Sequence, residues 1–422
     1  MSARGEAGAE RRRGGGAGAE RRGGGAGAER RRGGAAARRR SRGAVVRRRQ
    51  LALLAAAGAA FVAGVALGAR GGEEPVRGGA VASLVPGDRP APAPSPTATP
   101  APVEALSLEQ QVGKLVVLRF EGTSAPSYVR RVLHNGQAAG AILFRDNIAS
   151  PTQLKALTKQ LHRSGEAAGA TPIVCTDQEG GAIRNVSWAP PAQPQSRQVP
   201  GRDARAAAKA LRQAGINVSL APVADVPSTP GSVMRSRAFS GDVARATRAA
   251  TQGWLAGGVK PTAKHFPGLG GATVNTDFGS ATVGDGAPTT ADLAPFKAAI
   301  AAGTPLIMSS HARYPRLDAA HIASQSPRIL KTLLRGQLHF TGVVMTDSIE
   351  AAAARATGST EQIAIRSINA GNDIVLTTGQ GSWIRVYRAL LAKAKTDRAF
   401  RTRVKASAAR VLALQGTFDQ RS

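Results

Sequence analysis

The sequence predicts an α/β fold, a (β/α)8 TIM barrel, preceded by a disordered tail, one transmembrane helix and a Pro/Ala-rich linker. Two observations predict the barrel. Eight short β-rich apolar runs alternate with segments of helical periodicity after residue 104, and polar residues directly follow several of these runs. A doubly wound open sheet is the alternative, but the chain has no nucleotide-binding glycine fingerprint to accompany one.

Residues 1–50 consist almost entirely of Arg, Gly, Ala and Glu, and they contribute to a net charge of +30. Such a segment has few large apolar side chains to bury, so it is predicted to be a disordered cytoplasmic tail. Binding of nucleic acid or anionic lipid is the alternative use of its arginines. Because the chain has no nucleic-acid-binding motif, we expect no specific nucleic-acid partner.

Residues 51–69 form a run of 19 residues without a charge, close to the roughly 20 residues that a helix needs to cross a bilayer. The arginines 47–49 directly precede this run, which places the N-terminal end in the cytoplasm. The favoured interpretation is a membrane anchor. It makes the membrane a partner and gives a single-pass protein of the cell membrane, with the following domain outside the cytoplasm. A cleaved signal segment, which gives a secreted protein, and a buried Ala-rich helix are the alternatives.

Residues 70–104 are rich in Pro and Ala, a composition that favours extended polyproline II and forms a semi-rigid spacer. Residues 105–422 then form one domain, of the length that an α/β barrel needs, and we expect it to be a monomer. The one cysteine, Cys175, has no partner within the chain and therefore forms no internal disulfide.

The predicted strands are short apolar runs, each followed by a helix-compatible segment. Their ranges are 114–120, 139–144, 172–176, 218–226, 259–266, 306–310, 342–346 and 373–376. The active site of such a barrel forms at the C-terminal ends of the strands. Polar residues occupy these ends: Asp177 follows the third strand, Lys264 and His265 close the fifth, His311 follows the sixth and Asp347 the seventh. This arrangement predicts a functional site.

Six segments carry a more specific signal: TDQEGGAIR (176–184), LAPVADV (220–226), SRAFSGD (236–242), KHFPG (264–268), GVVMTDS (342–348) and AGNDIVL (370–376). In this order they resemble glycoside hydrolase family 3, specifically its bacterial single-barrel β-N-acetylglucosaminidases. The resemblance extends from residue 108 to about residue 414. It implies a barrel that cleaves glycosidic bonds without a cofactor or a metal.

The resemblance also implies a role for each polar residue at the strand ends. Asp347 matches the nucleophile of the family, although a helix N-cap is the other use of an aspartate at such a position. Arg184 and Asp373 match by motif alone, and their roles can be structural. The alternatives for the implied substrate-binding residues are a loop cap, a network at the barrel rim or a buried histidine. Those residues are Asp177, Arg237, Lys264, His265 and His311.

The loop after KHFPG departs from the family pattern. Family members carry a histidine after this motif, and then an Asp-x-His pair that supplies the acid/base. Here Leu269 replaces the first histidine, Asp277 aligns with the aspartate and Gly279 stands at the position of the acid/base histidine. Three interpretations stay open. Asp277 is itself the acid/base with a raised pKa, another carboxylate such as Asp285 enters on loop closure, or the domain binds glycan without efficient hydrolysis.

An active enzyme is favoured because the implied nucleophile and sugar-contacting residues are all present. We therefore expect a retaining exo-acting glycoside hydrolase that works through a covalent glycosyl-enzyme intermediate. A β-N-acetylhexosaminidase acting on cell-wall, peptidoglycan-derived glycans is the favoured activity. A catalytically weak, membrane-tethered glycan-binding barrel and a β-glucosidase specificity are the alternatives.

Overall fold

The computed structural model describes residues 103–418, and its main feature is a sheet of eight parallel strands. Each of these eight strands lies within one of the eight predicted ranges. We number the strands in chain order as β1 (Val116–Arg119), β2 (Gly140–Ile142), β3 (Ile173–Thr176), β4 (Val218–Ser219), β5 (Lys260–Phe266), β6 (Leu306–Ser309), β7 (Val343–Thr346) and β8 (Val375–Leu376).

The sheet closes into a barrel. Pairing runs from β8 through β1, β2, β3, β4, β5 and β6 to β7, and each neighbouring pair is parallel. At the seam between β7 and β8, Met345 pairs with Ile374 and the Thr346 amide donates to the Ile374 carbonyl at 3.0 Å. Closure pairs the two outer strands of the sheet with each other, so their backbone groups are satisfied.

Helices surround the barrel, and their boundaries follow local sequence signals. The Ser150 side chain caps the helix that begins at Pro151, and Ser359 and Gln362 form a capping box at the start of another. The helices are α1 (Leu108–Gly113), α2 (Ser127–His134), α3 (Pro151–Glu166), α4 (Pro200–Gln213), α5 (Val243–Ala256), α6 (Thr290–Ala301), the π-helical α7 (Arg328–Gln337), α8 (Ala352–Arg355), α9 (Thr360–Ala370), α10 (Ser382–Thr396) and α11 (Arg398–Gln415).

Two short antiparallel hairpins interrupt the alternation of strands and helices. Gln178–Gly180 pairs with Ile183–Arg184 directly after β3, and Arg313–Tyr314 pairs with Asp318–Ile322 after β6. Both hairpins follow the C-terminal end of a strand. They therefore enlarge the face of the barrel at which such folds form their active sites.

Side chains along β1 alternate between two apolar clusters, as the period of two in a strand requires. Val117, Cys175 and Leu376 belong to the cluster inside the barrel. Val116 and Leu118 belong to the cluster that includes the surrounding helices. Burial raises the pKa of the Cys175 thiol, so this cysteine is a neutral part of the interior.

The C-terminal helix closes the N-terminal end of the barrel. Leu414 and Phe418 belong to the interior cluster. Gln415 accepts a hydrogen bond from the Lys114 ammonium at 2.9 Å and donates to the Ala139 carbonyl at 3.1 Å, just ahead of β1 and β2. A ligand can therefore reach the barrel interior only from the other end, at the C-terminal ends of the strands.

Asp373, which matches the family only through its motif, has a structural role in the fold. Its carboxylate is fully buried and lies 2.7 Å from Arg335, 3.1 Å from Arg403 and 3.1 Å from Arg410. It also accepts a hydrogen bond from the Val344 backbone at 3.0 Å. A single buried carboxylate thus joins β7, β8, α7 and α11.

We expect Asp373→Asn to lower the free energy of unfolding by about 3–5 kcal/mol, because three guanidinium groups lose their common counter-ion. Urea denaturation measures this change. The control is Glu361→Gln, which breaks the exposed pair with Arg385 and should cost less than about 1 kcal/mol. Equal effects in the two variants would contradict a structural role for the buried cluster.

The expected transmembrane helix requires a correction. Among residues 103–418, no helix is long and apolar enough to cross a bilayer. The longest, α11, has 18 residues and carries five basic side chains. For the part of the chain that the structure describes, the prediction of a transmembrane helix, and with it of a single-pass protein of the cell membrane, is wrong. Residues 51–69, on which this prediction fell, lie outside the described residues, as do the predicted tail 1–50 and residues 70–102 of the predicted linker.

Candidate active site

A cavity of about 290 Å³ opens at the C-terminal ends of the strands, and we call it the strand-end cavity. Its apolar lining includes Ile142, Leu220, Met308 and Leu376, which belong to the barrel interior. Six of the seven predicted site residues line it, and His311 does not. The polar side chains in the lining are Asp177, Arg237, Lys264, His265, Asn275, Thr276, Asp277, Asp347, Ser348 and Thr378.

Lys264 holds together two carboxylates that follow β3. Its Nζ atom lies 2.6 Å from Oδ1 of Asp177 and 2.7 Å from Oε1 of Glu179. Glu179 also accepts two hydrogen bonds from the Arg237 guanidinium, at 2.9 and 2.7 Å. The Asp177 side chain is 20% exposed and that of Glu179 only 2%. Asp177 is therefore the carboxylate of this network that is open to a ligand.

Glu179 is an anion held in place by two cations. Burial alone would raise the pKa of Glu179, but the positive charges of Lys264 and Arg237 outweigh it and lower this pKa to about 2. Although burial opposes it, the charge of Asp177 and then that of Glu179 raise the pKa of Lys264, and the charge of Glu179 raises the pKa of Arg237. All three groups are therefore charged at neutral pH, and the network presents fixed hydrogen-bond donors to the cavity.

His265 is oriented by a buried carboxylate from the segment after β4. Its Nδ1 atom lies 2.7 Å from Oδ2 of Asp225, which has no solvent exposure. Oδ1 of Asp225 accepts hydrogen bonds from the backbone N–H groups of His265 and Leu269, at 3.2 and 2.6 Å. Because Nδ1 is engaged, Nε2 is the ring nitrogen on the cavity side, and it lies 3.9 Å from Oδ2 of Asp347.

Asp347 directly follows β7. Its backbone N–H donates to the Ser309 carbonyl at 3.1 Å, which continues the β6–β7 pairing up to this residue. Burial alone would raise the pKa of Asp347, but the positive potential of His265 and other neighbouring basic groups, with the hydrogen bond from the Ser348 amide, holds it below its ordinary value. The residue caps no helix, because α8 begins only at Ala352. Asp347 is therefore an ionised carboxylate at the cavity wall.

The 272–279 loop forms one side of the strand-end cavity. The Ala352 amide donates to the Asp277 carbonyl at 3.2 Å, which ties the loop to the segment that follows Asp347. The Asp277 amide donates to the side-chain oxygen of Asn275 at 3.0 Å. Partial loss of hydration, and then repulsion by the Asp347 charge, raise the pKa of Asp277 above its ordinary value, although the residue as a whole is solvent-exposed.

The cavity thus contains two aspartates whose pKa values are shifted in opposite directions. The pKa of Asp347 is lowered and that of Asp277 is raised. Such a separation allows one carboxyl group to be ionised while the other still carries a proton at the same pH. This is the combination that a reaction with a nucleophile and a proton donor requires.

Asp285, Gly279 and Leu269 place no titratable group in the cavity. Asp285 lies 2.7 Å from Arg316, and both side chains are about two-thirds exposed, at 66% and 67%. Gly279 has no side chain, and its amide donates to the Asn275 carbonyl at 3.1 Å. Leu269 lines the cavity as an apolar residue. Within residues 269–285, Asp277 is the titratable group in the cavity lining.

His311 lies behind the cavity wall. It is fully buried, and its Nδ1 atom is 2.8 Å from the Ser324 hydroxyl while Nε2 is 2.9 Å from the Ser348 carbonyl. Burial lowers the pKa of His311. The ring therefore supports the backbone next to Asp347. Arg184 also makes a local contact, because its guanidinium donates to the Ser187 carbonyl.

Two buried carboxylates of the site, Glu179 and Asp225, are not among the residues that the sequence predicts for it. Both lie in segments that carry the family resemblance, 176–184 and 220–226. The signal that could have identified them is an acidic residue at or just after the C-terminal end of a predicted strand, since a carboxylate that is buried there needs a partner. Their partners, Arg237 and His265, are 58 and 40 residues away in the sequence.

Comparison with known proteins adds a family assignment to this geometry. Residues 107–414 match the family described as "Glycosyl hydrolase family 3 N terminal domain". A relative from Arthroderma benhamiae, described as an uncharacterized secreted glycosyl hydrolase, is 32% identical over 338 residues, which are 74% of this chain and 94% of the relative.

Two solved structures are similar in fold and sequence. One is a family 3 β-N-acetylglucosaminidase from Paenibacillus sp. str. FPU-7, with a TM-score of 0.69 and 31% identity, covering 74% of this chain and 63% of that one. The other is a β-N-acetylhexosaminidase from Beutenbergia cavernae DSM 12333, with a TM-score of 0.68 and 33% identity, covering 74% of this chain and 99% of that one. The present chain thus spans less than two thirds of the first structure and nearly all of the second.

Proposed function

Because this chain belongs to glycosyl hydrolase family 3, we propose that it hydrolyses β-N-acetylhexosaminides by a retaining mechanism with Asp347 as the nucleophile. The family assignment makes the protein a glycoside hydrolase, and the similar solved structures include enzymes named for β-N-acetylhexosaminide substrates. The observation that carries the proposal is the ionised Asp347 in the same cavity as the protonatable Asp277.

In the first step, one oxygen of Asp347 attacks the anomeric carbon of the bound sugar. The bond between the anomeric carbon and the leaving oxygen breaks, and that oxygen takes the proton of Asp277. The product is a glycosyl ester on Asp347, and the released aglycone carries a hydroxyl group. The lowered pKa of Asp347 favours its ionised form and the raised pKa of Asp277 favours its protonated form, which are the forms that this step requires.

In the second step, Asp277 acts as a base, because it lost its proton in the first. It removes a proton from a water molecule, whose oxygen attacks the anomeric carbon and breaks the ester bond to Asp347. Asp347 leaves as a carboxylate and Asp277 regains its proton. Two displacements at one carbon restore the original β configuration of the sugar.

The charged network fits recognition of a single sugar ring. Asp177 accepts hydrogen bonds from sugar hydroxyl groups, while Lys264, Arg237 and His265 offer polar contacts to hydroxyl and acetamido oxygens. The interior end of the cavity is closed by apolar residues of the barrel. A volume of about 290 Å³ lies at the small end of ligand sites. These features support cleavage of one terminal residue at a time.

The proposed natural substrate is a cell-wall glycan fragment with a terminal β-linked N-acetylhexosamine, such as one derived from peptidoglycan. The relative from Arthroderma benhamiae is described as secreted. This description supports secretion, the alternative that the sequence left open, over a single-pass protein of the cell membrane. A secreted hydrolase meets its glycan outside the cell.

A panel of 4-nitrophenyl glycosides tests this function. We expect rapid release of nitrophenol from the N-acetyl-β-glucosaminide and slow release from the β-glucoside and the α-anomer. Proton NMR in the first minutes of the reaction should detect the β-anomer of the free sugar. Initial formation of the α-anomer would contradict a retaining mechanism, and faster cleavage of the β-glucoside would contradict the proposed substrate class.

Asp225→Asn is expected to lower kcat/KM for the 4-nitrophenyl N-acetyl-β-glucosaminide by about 10²-fold, since His265 then loses its fixed orientation. The asparagine amide is able to donate to Nδ1 of His265, which favours the wrong ring tautomer. Thermal unfolding of the variant separates this effect from loss of fold. A variant with normal kcat/KM would contradict a positioning role for Asp225.

A further inference from the structure

A second cavity of about 570 Å³ lies on the outside of the barrel between α3 and α4. We call it the basic groove, because its polar lining is dominated by cationic side chains. Lys155, Lys159 and His162 reach it from α3, and Lys209 and Arg212 reach it from α4. Their spacing places the residues of each helix on one face.

The basic groove is remote from the proposed chemistry. Gly215 and Gly257 also line it, and they precede β4 and β5 in the chain. The groove therefore lies towards the N-terminal ends of the strands, whereas the strand-end cavity lies at their C-terminal ends. The two cavities share no lining residue. A ligand in the basic groove does not compete with the sugar.

Among the residues that the structure describes, no acidic side chain lines the basic groove. Within residues 103–418, none of Lys155, Lys159 and Lys209 lies within 4.0 Å of a carboxylate oxygen. Lys155 and Lys159 are also one helical turn apart, a spacing at which like charges repel each other. The groove is therefore a region of positive charge in which these lysines have no carboxylate partner among the described residues. A bound anion would neutralise this charge.

His162 contributes a polar atom without a partner. Its Nε2 atom lies 2.7 Å from the Gly215 carbonyl, which requires Nε2 to carry a proton and donate it. Its Nδ1 atom is buried and has no hydrogen-bond partner in the described protein. The acidic group that acts on this ring is Glu166, which is exposed at the end of α3. A buried nitrogen of this kind is uncommon, and a hydrogen-bond partner from the groove side would satisfy it.

We propose that the basic groove binds a phosphate group, whose oxygens accept hydrogen bonds from Lys155, Lys159 and Lys209 and from a protonated Nδ1 of His162. The ammonium groups supply charge-assisted hydrogen bonds, which are the stronger kind. Binding of the anion favours the imidazolium form of His162, and this proton satisfies the nitrogen that otherwise lacks a partner. The groove volume is of the size of small-molecule sites, which leaves room for an organic phosphate ester.

Isothermal titration calorimetry of the full chain with inorganic phosphate and with glycerol phosphate tests the proposal. Saturable binding at one site is expected for at least one of them. Tighter binding of glycerol phosphate identifies an ester as the ligand, and equal binding identifies the phosphate group alone. At saturation the ring resonances of His162 should move to their imidazolium positions in the NMR spectrum.

A double variant provides the matched control. Lys155→Gln with Lys159→Gln should weaken binding by about tenfold or more, because two charge-assisted contacts are lost. Lys297→Gln with Lys331→Gln removes the same charge from exposed positions on α6 and α7 and should leave binding unchanged. Equal affinities in the two double variants, or no saturable binding in the wild type, would overturn the proposal. Glycoside hydrolysis should be normal in both variants, which separates this test from the proposed function.

Discussion

Asp347→Asn is expected to lower kcat/KM for 4-nitrophenyl N-acetyl-β-glucosaminide by about 10⁴-fold or more, the scale seen when a catalytic nucleophile is removed. The amide has nearly the shape of the carboxylate but carries no charge, so it does not form the glycosyl ester. The loss should fall on kcat, because the sugar-contacting network around Lys264 does not depend on Asp347. Steady-state kinetics with the purified variant measure it.

Covalent trapping gives the same residue an independent test. A 5-fluoro N-acetylglucosaminyl fluoride forms its ester quickly and releases it slowly, so intact-mass spectrometry should detect one glycosyl adduct on the wild type. Peptide mapping should find it on Asp347, and Asp347→Asn should form none. An adduct on another residue, or a variant within tenfold of wild-type activity, would contradict the proposed nucleophile.

The positions of the strands follow from the sequence, but the number of residues that pair in each strand does not. The apolar run 218–226 predicts one long strand, whereas only Val218–Ser219 pairs with its neighbours over a continuous stretch. After Ser219 the regular pairing is interrupted, and Val223 forms only an isolated parallel bridge with Lys264. This part of the run contributes Leu220 to the strand-end cavity and brings Asp225 to His265. Apolar composition indicates burial, and burial is common to paired strands and to extended segments that only line a cavity.

The sequence predicts those site residues whose positions follow directly from the barrel topology. Asp177, Lys264 and Asp347 meet because each ends a parallel strand, and all such ends lie on one face. The salt bridge between Glu179 and Arg237 needs the conformation of a 58-residue stretch of chain, which no local pattern specifies. His311 also follows a strand, but its ring turns away from the cavity to Ser324.

The identity of the acid/base depends on a loop conformation, which is the hardest part of such a site to infer from a sequence. Motif alignment places Gly279 where a catalytic histidine is expected and leaves Asp277 with several possible roles. In the structure, the hydrogen bond from Ala352 to the Asp277 carbonyl fixes this part of the loop beside the cavity, and Asp277 belongs to its lining. The two carboxyl groups are thus close enough for the Asp347 charge to raise the pKa of Asp277.

Asp277→Asn is expected to lower kcat/KM by about 10²–10⁴-fold for substrates with a poor leaving group, such as a sugar or a simple alcohol, because general acid help is lost. For 2,4-dinitrophenyl N-acetyl-β-glucosaminide, whose leaving group needs no proton, formation of the glycosyl-enzyme should be nearly unchanged. Azide should accelerate turnover of the variant and give a β-glycosyl azide, since this anion attacks the intermediate without a base. The control is Asp285→Asn, which removes an exposed carboxylate paired with Arg316 and should leave all substrates unaffected.

The pH profile provides the second test of Asp277, and its sign follows from the two shifted pKa values. The wild type needs an ionised Asp347, so kcat/KM falls as the pH drops through the lowered pKa of that residue. It also needs a protonated Asp277, so kcat/KM falls again as the pH rises through the raised pKa. Asp277→Asn should therefore abolish the alkaline decline and keep the acidic one. A variant that retains both limbs, or an Asp285→Asn variant that loses the alkaline one, would assign the proton donor to a different residue.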